Sequence, residues 1–242
     1  MEVDLFLTPA SLARTNLESN AVVVIDVLRS ATSICAALMN GARGVIPTDG
    51  PGEAGEMRMK IGSELAVLAG ERNGVKIDSF TFGNSPSEFT RAAVNGKFLI
   101  MTTSNGTGNF GKAAKANPVL SCGLVNISKV AERVAKEDRD VIVVCSGQDG
   151  NFSIEDTLCG GMLIHLLETT HRKQLAVNDA GSLALLLYRT NKTSLKQTIQ
   201  QGEHGRFLAS IGFGADVETA ALVDSMPVLP VLKDGRLVVD EA

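Results

Sequence analysis

Apolar residues come in short unbroken runs through the first part of the chain, at 3–7, 21–25, 44–47, 65–69, 98–101, 119–122 and 141–145. Runs of this length, rich in Val, Ile and Leu and without polar alternation, predict strands buried on both faces of a sheet. Between them, residues 33–39, 53–61, 86–94, 106–115 and 128–136 carry a helical pattern. Strand and helix in alternation predict an α/β fold, a mostly parallel sheet flanked by helices. The last third changes character: 155–167, 180–188, 195–200, 206–211 and 217–223 all read as helix. A Lys233-Asp234-Gly235 turn between apolar runs at 228–232 and 237–239 predicts a closing hairpin. No repeat, low-complexity stretch or linker divides the chain, so a single α/β domain over 1–242 is expected.

Composition narrows the function classes. The 44% of hydrophobic residues in 242 is enough for a large core and excludes disorder as the main state. Net charge is −4 without blocks of one sign, and aromatics are nine Phe, one Tyr and no Trp. A nucleic-acid surface needs basic patches and stacking rings, and a membrane anchor needs a polybasic or long apolar segment; neither is present in the sequence. The start, Met1-Glu2-Val3-Asp4, has no basic region ahead of an apolar one, so no signal peptide is expected. Four scattered cysteines without a CxxC read as reduced thiols of a cytoplasmic protein. Homo-oligomerisation stays open.

The candidate chemistry gathers at strand ends. Asp26, Arg29 and Ser30 follow the run 21–25. Gly70-Glu71-Arg72 follows 65–69, Thr102 to Thr107 follows 98–101, and Ser146 to Gly150 follows 141–145. In a parallel sheet the carboxyl ends of the strands share one edge, where ligands bind. Carboxylates, two arginines, hydroxyls and helix-start N–H groups together suit a phosphorylated anion with a hard divalent cation. Each cluster also has a plain structural reading. Ser30 and Asn105 fit helix N-caps, and Ser85-Pro86-Ser87-Glu88 and Ser153-Ile154-Glu155-Asp156 fit capping boxes. Asp26 stands apart, because an acid ending a five-residue apolar run is costly to bury unpaired.

Two nucleotide motifs are approached and missed. Gly106-Thr107-Gly108-Asn109-Phe110-Gly111 matches GxGxxG, but the next strand ends Leu120-Ser121-Cys122-Gly123 without the acid a dinucleotide site needs. The same segment with Lys112 fits GxxxxGK, but Ala113 replaces the Ser or Thr of a P-loop. What remains is a helix start open to an anion. No GxSxG elbow occurs. His165 and His171 read as a core and an exposed histidine, and His204 is the one histidine kept as a site candidate. Cys145 reads as a buried structural thiol.

At these residues the sequence resembles the 2-phosphosulfolactate phosphatase family. The matching stretches are Val24-Ile25-Asp26-Val27-Leu28-Arg29, Gly70-Glu71-Arg72, Gly83-Asn84-Ser85-Pro86, Thr102-Thr103 with Asn105-Gly106-Thr107, and Phe152-Ser153-Ile154-Glu155-Asp156. Weaker matches extend it over nearly the whole chain: Asp179-Ala180, Tyr188 with Thr190-Asn191, Gly212-Phe213, and Asp224 before Val228-Leu229-Pro230. The resemblance implies a Mg²⁺-dependent α/β phosphatase that hydrolyses 2-phosphosulfolactate, or a related phosphorylated hydroxy acid, to sulfolactate and phosphate, a step toward coenzyme M. It implies Asp26, Glu71 and Asp156 as metal ligands or base, with Glu155 as substitute. It implies Arg29 and Arg72 on the phosphate or sulfonate. Ser30, Thr102, Thr103, Asn105, Gly106 and Thr107 are then donors to substrate, with Asn84, Ser85, Ser146 and Gly147 lining the pocket. The chain departs from the family pattern at Ala31, at Gly108 where an Arg is common, and at Gln148-Asp149. The rival readings are a dinucleotide-binding oxidoreductase and a non-catalytic phosphate-ester-binding protein.

Overall fold

The computed structural model describes residues 1–240, apart from the side chains of residues 11, 13 and 14; the last two positions of the expected domain lie outside the described residues. The chain begins with β1 (Glu2–Phe6), a 3₁₀ turn (Pro9–Arg14) and β2 (Ala21–Ile25), whose five residues are all buried. Then come α1 (Ser30–Met39), β3 (Gly44–Pro47), α2 (Pro51–Ile61), β4 (Ala66–Arg72), β5 (Val75–Lys76), α3 (Arg91–Val94) and β6 (Phe98–Thr102). The second half continues with α4 (Thr107–Ala113), β7 (Val119–Cys122), α5 (Ile127–Ala135), β8 (Val141–Cys145) and α6 (Ile154–Thr169). Last are β9 (Ala176–Val177), α7 (Asp179–Asn191), α8 (Leu195–Gln201), α9 (Glu203–Ser210), α10 (Gly214–Ala220), β10 (Pro230–Lys233) and β11 (Arg236–Val239).

All eleven strands join one sheet in the order β5-β4-β6-β3-β11-β10-β7-β2-β8-β1-β9. The expected closing hairpin forms, and it lies in the middle of the sheet: β11 pairs antiparallel with β3, and β10 antiparallel with β7. It divides two parallel blocks, β4-β6-β3 and β7-β2-β8-β1. Three antiparallel junctions separate the blocks, so they run in opposite senses along the sheet. The expectation of one shared carboxyl edge is corrected accordingly. The carboxyl ends of β2 and β6 nevertheless meet, with Asp26 and Ser30 beside Thr103 and Gly106.

One core is shared by faces of both blocks, with Val22, Val24, Val67 and Leu99 against Ile34 of α1 and Phe110 of α4. The opposite face of the second block buries Leu5, Val23, Ile25 and Val143 under α5, α6 and α7. A small third core puts Leu68 and Ile100 against Ala54 of α2. These strands are buried on both faces, which is why their sequences are unbroken apolar runs. The residues expected to form one helix at 86–94 instead make a 3₁₀ turn (Pro86–Glu88) and the short α3. Among the described residues no helix is long and apolar enough to cross a membrane.

Candidate active site

Register places the polar residues. Ile25 lies opposite Cys122 of β7 and Cys145 of β8, so Asp26 and Ser146 leave the sheet side by side. In the other block Gly70 lies opposite Thr102, which sets Glu71 beside Thr103. The two blocks touch directly: the hydroxyls of Ser30 and Thr103 are 3.2 Å apart. A cavity of about 300 Å³ opens at this junction, lined by Asp26, Arg29, Ser30, Glu71, Thr103 and Asn105, with His204 and Phe207 of α9 across from them.

Asp26 is buried, and its Oδ1 accepts the Ser30 N–H at 3.0 Å, capping α1. Burial pushes its pKa up, the Ser30 donors and His204 work against this, and the Glu71 charge adds to it. Ser30 is therefore not the N-cap expected; it lies in the first turn and turns its hydroxyl to Thr103. Gly106 approaches Asp26 so closely that a Cβ there would lie 2.1 Å from Asp26 Oδ2 and 2.6 Å from Ser30 Oγ. Space, rather than backbone conformation, requires this glycine, whose φ is −82°.

Thr103 Oγ1 accepts the N–H groups of Gly106 and Thr107, both at 3.2 Å. The helix start expected to be open to an anion is thus occupied by a side chain, and Gly106, not Asn105, is the N-cap of α4. The same finding removes the remaining structural basis for a dinucleotide site, since the GxGxxG glycines open a helix whose first donors are already bonded. Asn105 does line the cavity, where its Oδ1 accepts the Asp149 N–H at 3.1 Å.

Glu71 and Arg72 are adjacent on β4 and so point to opposite faces. Glu71 faces the cavity, with Oε1 accepting Ser104 N–H at 2.7 Å and Oε2 accepting Gly74 N–H at 2.8 Å. Arg72 does not line the cavity; it donates to Thr102 Oγ1 at 3.0 Å and to the Glu71 carbonyl. Arg29 does line it. Its guanidinium, buried over the Phe213 ring, pairs with Asp216 at 2.9 Å and donates to the Gly74 carbonyl. Asp216 lies in α10, one residue before the expected helix, and no sequence signal marked it.

The two acids of α6 diverge. Asp156 Oδ1 accepts Val27 N–H at 2.8 Å and Oδ2 accepts Gly147 N–H at 3.0 Å, which ties the loops after β2 and β8 together. Burial and the charges of Asp26 and Glu155 push its pKa well up, against those two donors. Glu155, one helical step away, pairs with His204 Nδ1 at 3.1 Å. Ser153 makes no cap hydrogen bond, so the expected capping box does not form. At the other expected box, Glu88 does accept the Ser85 N–H, while the Ser85 hydroxyl donates to Asp216 at 2.6 Å.

Of the candidate residues, Asp26, Arg29, Ser30, Glu71, Asn84, Thr103, Asn105 and His204 meet at the cavity. Ser85, Thr102, Thr107, Ser146 and Gly147 serve the frame behind it: Thr107 Oγ1 donates to the Thr48 carbonyl, and Ser146 Oγ accepts from Asn109. Sequence reasoning passed over Asn73, Glu203 and Phe207, which line the cavity from a turn and α9, and gave no role to Ser104, which lines it from the loop after β6. The four acids expected at a metal do not form a cage, and among the described residues no three His, Cys, Asp or Glu side chains are grouped to hold an ion. Asp26 lines the cavity, and among the described residues its Oδ2 accepts no backbone N–H. That suits the way Mg²⁺ is often held, by one or two carboxylates together with water and substrate phosphate.

A family model described as 2-phosphosulpholactate phosphatase matches residues 6–235. Related proteins match over nearly their whole length. One from Caldanaerobacter subterraneus is 35% identical over 235 residues, 97% of each chain. One from Carboxydothermus hydrogenoformans is 35% identical over 244 residues, 100% of this chain and 98% of the relative. One from Symbiobacterium thermophilum is 36% identical over 225 residues, 93% and 96%. Each carries the name probable 2-phosphosulfolactate phosphatase.

Proposed function

Because the chain belongs to the 2-phosphosulpholactate phosphatase family, we propose that it hydrolyses 2-phosphosulfolactate, or a closely related phosphorylated hydroxy acid, in a Mg²⁺-dependent reaction in the cytoplasm. By its family the chain is a phosphoric monoester hydrolase. The observation that carries the site assignment is the cavity at the junction of the two blocks, where Asp26, Arg29, Thr103 and Asn105 come together.

The charge balance of that cavity supports the metal. Asp26, Glu71, Asp149 and Glu203 line it against the guanidinium of Arg29, already paired to Asp216, and the ring of His204, already paired to Glu155. A phosphate dianion entering such a wall is repelled unless a cation accompanies it. When bound, Mg²⁺ supplies positive charge against the phosphate oxygens. Asp26 would hold it, and Glu71 would keep the Gly74 and Ser104 backbone in place on the facing wall. Arg29, Asn84 and Asn105 supply donors for the anionic groups of the ester. The four cysteines are free and buried, as suits a reducing compartment.

The direct test is phosphate release from 2-phosphosulfolactate and related hydroxy-acid phosphates, with Mg²⁺ and with a chelator. Release that needs Mg²⁺ is expected. Release undiminished by the chelator would remove the metal, and no release from any ester would remove the activity.

A further inference from the structure

The strongest unassigned feature is the pairing of His204 with Glu155. Glu155 is 1% exposed, and its Oε1 accepts from His204 Nδ1 at 3.1 Å. Its other oxygen, Oε2, is buried without a partner. A carboxylate this deeply buried and half-satisfied costs stability. Among the described residues its one charged partner is His204, which lines the cavity beside Asp26 and Arg29. A carboxylate on Nδ1 fixes the ring's orientation and leaves Nε2 as the free nitrogen; Nε2 has no partner among the described residues. The chain makes room for this arrangement. A Cβ on Gly202 would lie 2.6 Å from Ile154 Cγ2, and one on Gly205 would lie 2.1 Å from the Ile199 carbonyl oxygen. Both glycines let the start of α9 press against α6 and α8, carrying His204 to Glu155.

We propose that His204, oriented by Glu155, is the catalytic acid that protonates the ester oxygen as it leaves phosphorus. The inference rests on the phosphatase reading and deepens it. Water adds to phosphorus through its oxygen and releases one proton to solvent. The P–O electron pair departs with the ester oxygen, which takes the proton from His204 Nε2. The products are the hydroxy acid and phosphate, and His204 regains its proton from solvent. An alkyl oxygen is a poor leaving group without a proton, so a hydroxy-acid phosphate needs this step, whereas an aryl phosphate leaves as a stabilised phenoxide.

That contrast supplies the test. Turnover by wild type, His204→Asn and Glu155→Gln is measured with 2-phosphosulfolactate and with 4-nitrophenyl phosphate. Inhibition by inorganic phosphate serves as a check that each variant keeps its site. His204→Asn is expected to lose about 10²–10³-fold in kcat on the alkyl ester and about tenfold less than that on the aryl ester. Glu155→Gln is expected to show the same selectivity, more weakly. Equal losses on both esters with phosphate inhibition unchanged would make His204 a structural residue and overturn the proposal, as would full alkyl turnover by His204→Asn. A wild type inert toward both esters would instead overturn the phosphatase reading, and the proposal with it.

Discussion

Arg29 and Asp216 form a buried ion pair at 2.9 Å across 187 positions of sequence. One residue ends the loop after a central strand, and the other lies in the helical last third. The pair clamps α10 to the cavity wall, and the Ser85 hydroxyl completes it by donating to the second Asp216 oxygen. Removing Asp216 leaves a guanidinium buried with only the Gly74 carbonyl. Asp216→Ala is therefore expected to cost about 3–5 kcal/mol, read as a lower midpoint in urea unfolding. A midpoint within error of wild type would show that the pair contributes nothing to holding the two parts together.

Gly106 is the closest backbone approach to Asp26. The methyl of Gly106→Ala would meet the carboxylate at 2.1 Å, so either the loop or Asp26 must move. A displacement of this order is expected to lower kcat about 10²-fold, while overpacking costs about 1–3 kcal/mol. Unchanged kinetics in a folded Gly106→Ala protein would show that the position of this loop does not matter to the reaction.

Asp156 distinguishes a structural tie from a metal ligand. Its two oxygens take the Val27 and Gly147 N–H groups, and Asp156→Ala strands both donors, at about 1–3 kcal/mol each. Stability is expected to fall, and the Mg²⁺ concentration giving half-maximal activity is expected to hold. A large rise in that concentration at unchanged stability would return Asp156 to the metal.

The pH dependence of stability follows from Asp26. Its folded pKa lies above the ordinary value of 3.8, chiefly through burial. Between those two values the folded state holds the proton more tightly than the unfolded one, so stability falls as pH rises through this window. Asp26→Asn removes the charge and is expected to be more stable than wild type at pH 7. Each kcal/mol recovered raises Tm by about 2–4 °C in a chain of this size. A lower Tm for Asp26→Asn would show that the carboxylate stabilises the fold through its Ser30 hydrogen bond by more than its burial costs.

Much of this architecture is legible in the sequence because the strands are buried on both faces. Continuous runs such as Ala21–Ile25 and Val141–Cys145 mark themselves. The position of β10 and β11 is not legible, since a hairpin reads the same at an edge or in the middle of a sheet, and with it went the opposite sense of the two blocks. Within the site, Asp26 announces itself as an acid closing an apolar run. Glu71 and Arg72 look equivalent in sequence, and only the two-residue period of β4 sends one into the cavity and the other away. Thr103 and Gly106 suggest an anion-binding helix start, but a local hydroxyl takes those donors first. Asp216, and the pairing of His204 with Glu155, depend on how α9 and α10 dock, which is tertiary information that no local pattern carries.

The placement of the chemistry around Asp26 is tested most directly by steady-state phosphate release from 2-phosphosulfolactate, comparing wild type with Asp26→Asn at saturating Mg²⁺. A kcat lowered by about 10³-fold or more, in a variant whose Tm is equal to or above wild type, is the expected result. A folded Asp26→Asn protein with kcat within tenfold of wild type would contradict the assignment of this cavity as the active site.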